Sequence, residues 1–157
     1  MSHSNNEADA MRQRRRRVLG RLFVRAARVF QEEAVQRIHA AGYAEFKLAD
    51  NAVLVHLEEG GNRISELARR SGITKQGISK LVHDLERRGW VTKVPDPTDG
   101  RAQLVQYTEE GQRMLHGAVT VVEALDAEMI ELVGAERGEQ MRETLMELLE
   151  KLDEQGF

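Results

Sequence analysis

Polar side chains that can read DNA recur at helical spacing in one segment of the chain. Residues 65–89 read SELARRSGITKQGISKLVHDLERRG. Two short helices joined by a turn of about three or four residues form a helix-turn-helix, and Gly72 stands where such a turn needs a left-handed backbone. An apolar stripe of the second helix is predicted to be buried: Ile78, Leu81, Val82 and Leu85. The opposite face is therefore predicted to point outward and carries Lys75, Gln76, Ser79, Lys80 and His83.

The chemistry of this outward face suits base edges and phosphates. A glutamine can bridge the edge of an adenine, a lysine can reach a guanine or a phosphate, and a serine can donate or accept. A recognition helix works through its N-terminal part, where Thr74 also lies. Ser65, at the start of the preceding helix, is added to the predicted contacts. The alternative is an ordinary solvated helix face, because lysines are common on protein surfaces.

A β-hairpin is predicted directly after these helices. Residues 90–94 and 103–107 are rich in β-branched and aromatic side chains, as strands are, and residues 95–100 carry both prolines and an Asp-Gly pair, which favour a turn. Arg101 would stand at the tip and enter a narrow minor groove. Asp99 could hold its guanidinium by a charge-assisted hydrogen bond. The alternative is a plain Asp-Gly turn beside a surface arginine.

The stretch ELARRSGITKQGISKLVHDLERRGWVTKVPDPTDGRAQLVQYTEEG resembles the winged helix of the MarR (multiple antibiotic resistance regulator) family. The similarity covers about Leu48 to Gly111 and is strongest from Asp96 onward; the flanking helices match by length and order. The resemblance implies major-groove contacts from residues 74–80 and a minor-groove Arg101 anchored by Asp99. It also implies a homodimer, built from the first and last helices, on a pseudo-palindromic operator. The sequence FKLADN departs from the Gly-Leu-Thr opening that the family often has there.

Helical periodicity predicts the remaining elements and a mainly α winged helix-turn-helix fold with long flanking helices. Helices are predicted over residues 12–41, 48–57, 64–71, 74–88, 108–133 and 136–153, with Ser65 and Thr74 as N-caps of the third and fourth. We predict a helical dimerisation region over 12–46 and 108–157, a DNA-binding domain over 47–107 and a flexible tail over 1–11.

Charge and apolar residues are unevenly distributed along the chain. Residues 63–107 carry nine Lys or Arg and five Asp or Glu, whereas residues 108–157 carry four and thirteen; a basic middle beside an acidic end suggests a polyanion-binding face. Arg14, Arg17, Arg21, Arg25 and Arg28 share a helical arc of about 80°. That arc is either a solvated face or one that meets DNA or an acidic helix. Apolar stripes predict the dimer contacts: Leu19, Phe23 and Phe30, with Leu145, Leu148 and Leu152.

Other functional classes lack their characteristic residues. The absence of Cys excludes disulfides, thiolate nucleophiles and a thiol redox switch. The five histidines have no recognised metal spacing, and no catalytic motif is found. We therefore expect no enzyme, cofactor or metal site, no membrane span, and a cytoplasmic protein.

The combined expectation is a sequence-specific regulator that binds double-stranded DNA as a homodimer, acts as a repressor and is released by a small organic effector. His39, Tyr43, His56 and His116 are weak candidates for a pocket between the winged helix and the dimer helices. The alternative is a winged helix that serves as a protein-interaction module without sequence-specific DNA binding. The operator, the regulated genes and the effector are not predicted.

Overall fold

A computed structural model of the chain describes residues 18–156. The predicted tail and the start of the first predicted helix, with Arg14 and Arg17, lie outside these residues. The helices are α1 (Leu19–Ala40), α2 (Asn51–Leu54), α3 (Ile64–Ser71), α4 (Lys75–Arg87), α5 (Glu109–Val133) and α6 (Ala135–Gln155). The strands are β1 (Asn62–Arg63), β2 (Val91–Asp96) and β3 (Asp99–Tyr107). Among residues 18–156, no helix combines the length and apolarity that crossing a bilayer requires.

The core of the winged-helix half forms where α3 and α4 cross and pack against the sheet. Leu67 from α3 and Ile78, Val82 and Leu85 from α4 are fully buried. Gly72 ends α3 with φ of +67°, a conformation that costs glycine little. The predicted mainly α winged helix-turn-helix is confirmed, since α3 and α4 are followed at once by an antiparallel hairpin.

The sheet has the order β1-β3-β2 and is antiparallel throughout. The hairpin ladder is regular as far as Pro95 opposite Gln103, and the next pair is Asp96 opposite Asp99. β3 therefore has three more residues than β2 between these pairs, and Arg101 is the middle one. The prediction that Arg101 occupies the tip is corrected: the turn is residues 97–98, and Arg101 lies in the bulge beside it.

Two further expectations about the helices are corrected. The predicted helix over 48–57 is a 3-10 turn, Leu48–Asp50, followed by a short α2 that ends at Leu54. The carbonyl of Leu54 accepts a hydrogen bond from the hydroxyl of Tyr107 on β3 at 2.6 Å. Ser65 is not an N-cap: the chain enters α3 directly from β1, with Arg63 as N-cap and no side-chain cap.

The long helices form the other half of the molecule. α1 packs on α5, and α5 packs on α6 after the chain turns at Gly134, where φ is +91°. The α5–α6 crossing is tight, because a Cβ on Gly138 would lie 2.6 Å from a methyl group of Ile130. Thr108 caps α5 by accepting from the amide of Gly111 at 3.0 Å, as its sequence position predicts.

Candidate DNA-binding interface

The N-terminal end of α4 presents the side chains predicted to read DNA. Thr74 caps the helix, and its hydroxyl accepts from the amide of Gly77 at 3.2 Å. The predicted outward positions are exposed at Lys75, Gln76, Lys80 and His83, and half-buried at Ser79. Free amides and the positive end of the helix dipole at such a terminus attract phosphate.

Gly77 has a packing reason to be inside this helix. A Cβ at this position would lie 2.8 Å from the Cγ2 atom of Ile73 and 3.3 Å from the cap oxygen of Thr74. The methyl group of Ile73 therefore lies directly on the Gly77 backbone, although Ile73 is still 38% exposed. Glycine in a helix costs up to about 1 kcal/mol relative to alanine, and here it lets the turn close on the helix.

Most cations of residues 63–107 are neutralised within the domain. Six of the nine have an acidic partner within 4.0 Å: Arg63, Arg69, Arg70, Arg87, Arg88 and Lys93. Within residues 18–156, the other three have no acidic side chain at that distance, and they are Lys75, Lys80 and Arg101. These are the three cations that the sequence predicts for DNA, and their charges are free to replace the counterions of a phosphate backbone.

The wing is fixed to the helix-turn-helix by Asp96 and Arg63. The buried carboxylate of Asp96 accepts from the amide and the hydroxyl of Thr98, at 2.8 and 2.7 Å, and from Arg63 Nε at 2.7 Å. The two Thr98 bonds and the Arg63 guanidinium lower the pKa of Asp96 to about 2. Because Arg63 directly precedes α3, this contact holds the wing tip against the start of the helix-turn-helix.

The predicted pairing of Asp99 with the Arg101 guanidinium is corrected. The Asp99 carboxylate accepts from the backbone amide of Arg101 at 3.1 Å and lies 3.5 Å from the guanidinium of Arg63. Arg63, already held by Asp96, is the cation within its reach. Asp99 therefore stabilises the turn by accepting from the backbone amide two residues later. The Arg101 side chain is exposed. Ser65, also exposed, lies on the first turn of α3.

An apolar cavity of about 390 Å³ opens between α1, α2 and α5. Its apolar lining comes mainly from Phe30, Ala34, Val35, Ile38, Phe46, Leu48, Leu54, Val55, Met114, Leu115, Ala118, Val119 and Val122. Its polar lining is Gln31, Asn51 and Glu123. The cavity lies between the winged helix and the long helices, where a pocket was predicted. Its lining was not predicted, because the lining is mostly apolar and comes from separate segments that only packing brings together.

The four residues predicted for a ligand pocket do not line this cavity. His39 Nε2 is hydrogen-bonded to the carbonyl of Phe46 at 2.7 Å. The hydroxyl of Tyr43 donates to the carbonyl of Arg113 at 3.2 Å. His116 is exposed and His56 half-buried. In the part of the chain that the structure describes, no group of three His, Asp or Glu side chains could hold a metal ion.

The helix-turn-helix with its exposed α4 terminus, followed by the wing, places the protein in the class of winged helix-turn-helix DNA-binding proteins. A family model described as the MarR family matches residues 46–102. The transcriptional activatory protein BadR of Rhodopseudomonas palustris is 28% identical over 112 residues, which are 71% of this chain and 63% of BadR. The transcriptional regulator HosA of Escherichia coli is 32% identical over 79 residues, 50% of this chain and 56% of HosA. The chain thus spans about three-fifths of these curated relatives.

Solved structures resemble most of the chain. CouR of Rhodococcus jostii bound to p-coumaroyl-CoA is 28% identical, covers 84% of this chain and 92% of its own, and has a TM-score of 0.67. CouR bound to a 23-mer DNA duplex has a TM-score of 0.71 at 23% identity, over 87% of this chain and 92% of its own, which shows the shared fold. The family model, the two curated regulators and the solved structures together support a transcription regulator of the MarR family.

Proposed function

We propose that this protein is a cytoplasmic, sequence-specific DNA-binding regulator of transcription that binds a pseudo-palindromic operator as a homodimer. The observation that carries the proposal is the charge pattern of the winged helix. Lys75, Lys80 and Arg101 alone among its cations lack an acidic partner within the described residues, and the first two flank the exposed Gln76 on α4. α4 would lie in the major groove and Arg101 in the minor groove. The DNA complex of CouR supports this use of the fold.

The DNA function is tested by a gel shift with the DNA upstream of the gene, measured over a series of salt concentrations. Gln76→Ala should relax specificity at one position of each half-site, by about 1–3 kcal/mol for a bidentate contact. Lys80→Ala, as a phosphate contact, should weaken all sequences alike and lower the salt slope by about 1 per contact. Arg101→Ala should weaken operator binding strongly, and Arg101→Lys should restore only part of it, since guanidinium is planar and more weakly hydrated.

A matched control lies on the same helix. Arg87 is exposed but paired with Asp84 at 3.3 Å, so Arg87→Ala should leave the affinity and the salt slope unchanged. If the chain gives no salt-sensitive shift, or if all variants bind as the control does, then α4 does not face DNA. The winged helix would in that case be a protein-interaction module.

Dimerisation is supported by apolar side chains that a single subunit leaves exposed. On α1, the predicted contacts Leu19 and Phe23 are 58% and 38% exposed, and on α6 Leu149 is 60% exposed. The other predicted contacts are half-buried within the subunit: Phe30, Leu145, Leu148 and Leu152. Large apolar side chains that a subunit leaves exposed often mark an interaction site. Sedimentation at micromolar concentration should give the mass of two chains, and a clean monomer would refute the assembly.

We further propose that the protein represses transcription and that a small organic effector in the apolar cavity releases it from DNA. The CouR structure with p-coumaroyl-CoA supports a ligand-responsive relative, and CouR bound to DNA is described as a repressor. The cavity wall at α2 adjoins Asp50, which pairs with Arg88 at the end of α4, so occupancy has a short route to the recognition helix. In a transcription assay on its own promoter, the protein should lower transcript yield; a rise would make it an activator.

A further inference from the structure

The N-terminal half of α1 is not packed against its own subunit. Every residue from 18 to 29 is exposed, and Phe30 is the first that is half-buried. The exposed side chains include the apolar Leu22 and Val29. A helical segment of about this length is marginal in water when nothing packs on it. This half of α1 therefore needs a partner that its own subunit does not supply.

Three arginines form a row beside these apolar side chains. Arg21, Arg25 and Arg28, here called the arginine row, follow one another at i, i+4 and i, i+3 spacing on one side of the helix. Leu22 and Val29 lie about 40–60° around the helix from Arg25, at 100° per residue. Within residues 18–156, Arg28 has one glutamate at 3.9 Å, and Arg21 and Arg25 have no acidic side chain within 4.0 Å. The DNA-binding proposal assigns no role to these charges.

The last helix carries an acidic row with the same spacing. Glu143, Glu147 and Glu150 on α6, here called the glutamate row, are exposed and also stand at i, i+4 and i, i+3. The exposed Met146 lies about 40–60° around the helix from Glu143 and Glu150. Glu147 pairs with Lys151 of its own helix, and within residues 18–156 the other two have no cation within 4.0 Å. The two rows thus have opposite charge, and each borders exposed apolar side chains.

The two rows do not meet within one subunit. Among the described residues, the ion pair that joins α1 to another helix is Arg37 with Glu128 of α5, and the one that joins α6 to another helix is Arg142 with Asp126 of α5, each at 2.7 Å. No hydrogen bond or ion pair of that part of the chain connects α1 with α6. Each row therefore keeps its charge on the surface, where another chain can reach it.

The charge of the whole terminal regions shows the same opposition. Residues 1–42 carry nine Lys or Arg and four Asp or Glu, a net charge of +5, whereas residues 108–157 carry four and thirteen, a net charge of −9. Two copies of either region alone would repel each other, and unlike regions attract. A second copy of this chain offers both kinds of surface at once.

We propose that the arginine row of one subunit binds the glutamate row of a second copy, and that this charge complementarity selects identical chains as dimer partners. The inference rests on the proposed homodimer and names the side chains that choose its partner. A two-fold axis repeats the contact, so three pairs at each of two contacts give six ion pairs. One exposed pair contributes little, but charges that flank an apolar seam between helices set partner choice. A chain that lacks either row would leave like or unpaired charges at that seam.

Charge reversal in two separate chains tests the inference. The first variant is Arg21→Glu/Arg25→Glu/Arg28→Glu, and the second reverses the glutamate row to lysine: Glu143→Lys/Glu147→Lys/Glu150→Lys. Each variant alone places like charges on facing rows, so its dimer dissociation constant at low salt should rise about tenfold or more. An equimolar mixture restores opposite charges at both contacts. Native mass spectrometry, with one variant labelled by heavy isotopes, should therefore find mostly the mixed dimer.

Two controls separate this pairing from general effects of charge and folding. Lys75→Glu/Lys80→Glu/Arg101→Glu, on the winged helix, changes the net charge as much as the first variant does and should keep the dimer affinity of the unaltered chain. A chain that carries both reversals again has opposite charges on facing rows and should dimerise with itself. Raising the salt concentration should weaken the unaltered dimer, since exposed charges are screened.

The inference is overturned if the reversed variants dimerise as tightly as the unaltered chain, or if their mixture shows no preference for the mixed dimer. It is also overturned if the first variant forms a normal dimer but binds operator DNA more weakly in a gel shift, because the arginine row would then face DNA. A monomeric unaltered chain would refute the dimer itself. A homodimer indifferent to charge reversal would refute only the pairing of the rows, so the two proposals fail separately.

Discussion

Removing one partner of the ion pair between Asp50 and Arg88 should strongly destabilise the winged-helix half. The guanidinium donates to both carboxylate oxygens at 2.7 Å, and the two side chains are 1% and 5% exposed. Arg88 also donates to the carbonyl of Glu45 at 2.8 Å and lies 4.5 Å above the ring of Trp90. Asp50→Asn leaves that buried guanidinium without its counter-charge, which costs about 3–5 kcal/mol. For a chain of this size the melting temperature should fall by roughly 6–20 °C.

Thermal and urea unfolding at one fixed protein concentration measure this loss, because the stability of a dimer depends on concentration. The matched control is Asp84→Asn on α4, whose partner Arg87 is 70% exposed; it should cost less than about 1 kcal/mol. The double variant Asp50→Leu/Arg88→Met should recover most of the loss, since it leaves no buried charge. If Asp50→Asn costs no more than the control, water reaches the pair and the reasoning is refuted.

Other residues give three further tests of the structure. Gly111→Ala should cost about 1–3 kcal/mol or more, since the new Cβ would lie 1.8 Å from the carbonyl oxygen of Trp90. Gly20→Ala on α1, with no atom within 4 Å, should instead stabilise by up to about 1 kcal/mol; urea unfolding giving both the same sign would contradict this. The folded pKa of Asp96 is about 2, below its ordinary 3.8, so its stabilisation is present above pH 3.8 and lost as the pH falls through 2. Asp96→Asn should flatten that part of an acid-unfolding profile, and an unchanged profile would refute the assignment. Burial raises the pKa of Tyr107 to about 12, so an absorbance titration of the folded protein should find this phenol still protonated at pH 10, and stability should fall above that pH.

The elements that sequence predicted well are those that local rules determine. Thr74 and Thr108 each precede a helix. The hydroxyl oxygen of each accepts a hydrogen bond from the backbone amide three residues later, that of Gly77 or Gly111. Gly72 and the hairpin signals likewise act over a few neighbouring residues. The recognition helix, the wing and the outward positions on α4 follow from such local signals combined with a buried stripe.

The features that were missed depend on residues far apart in the chain. β1 is only Asn62 and Arg63, too short to show alternation, and it exists because it pairs with Val105 and Leu104. That pairing replaces the expected cap at Ser65, and it brings Arg63 to the wing, where it takes the place expected for Arg101 beside Asp99. The lining of the apolar cavity was missed for a related reason: each apolar lining residue has the pattern of an ordinary core position in its own segment.

The side chains that face outward from α4 take no part in holding the fold together. Within residues 18–156, Lys75, Gln76 and Lys80 have neither a hydrogen-bond partner nor a place in the core, while Thr74 and the buried stripe keep the helix in position. Exchanges at such surface positions usually change stability by less than about 0.5 kcal/mol. This separation makes the protein retargetable. Gene duplication, or an engineer, can redirect a copy to a new DNA sequence by changing these residues while the scaffold is inherited intact.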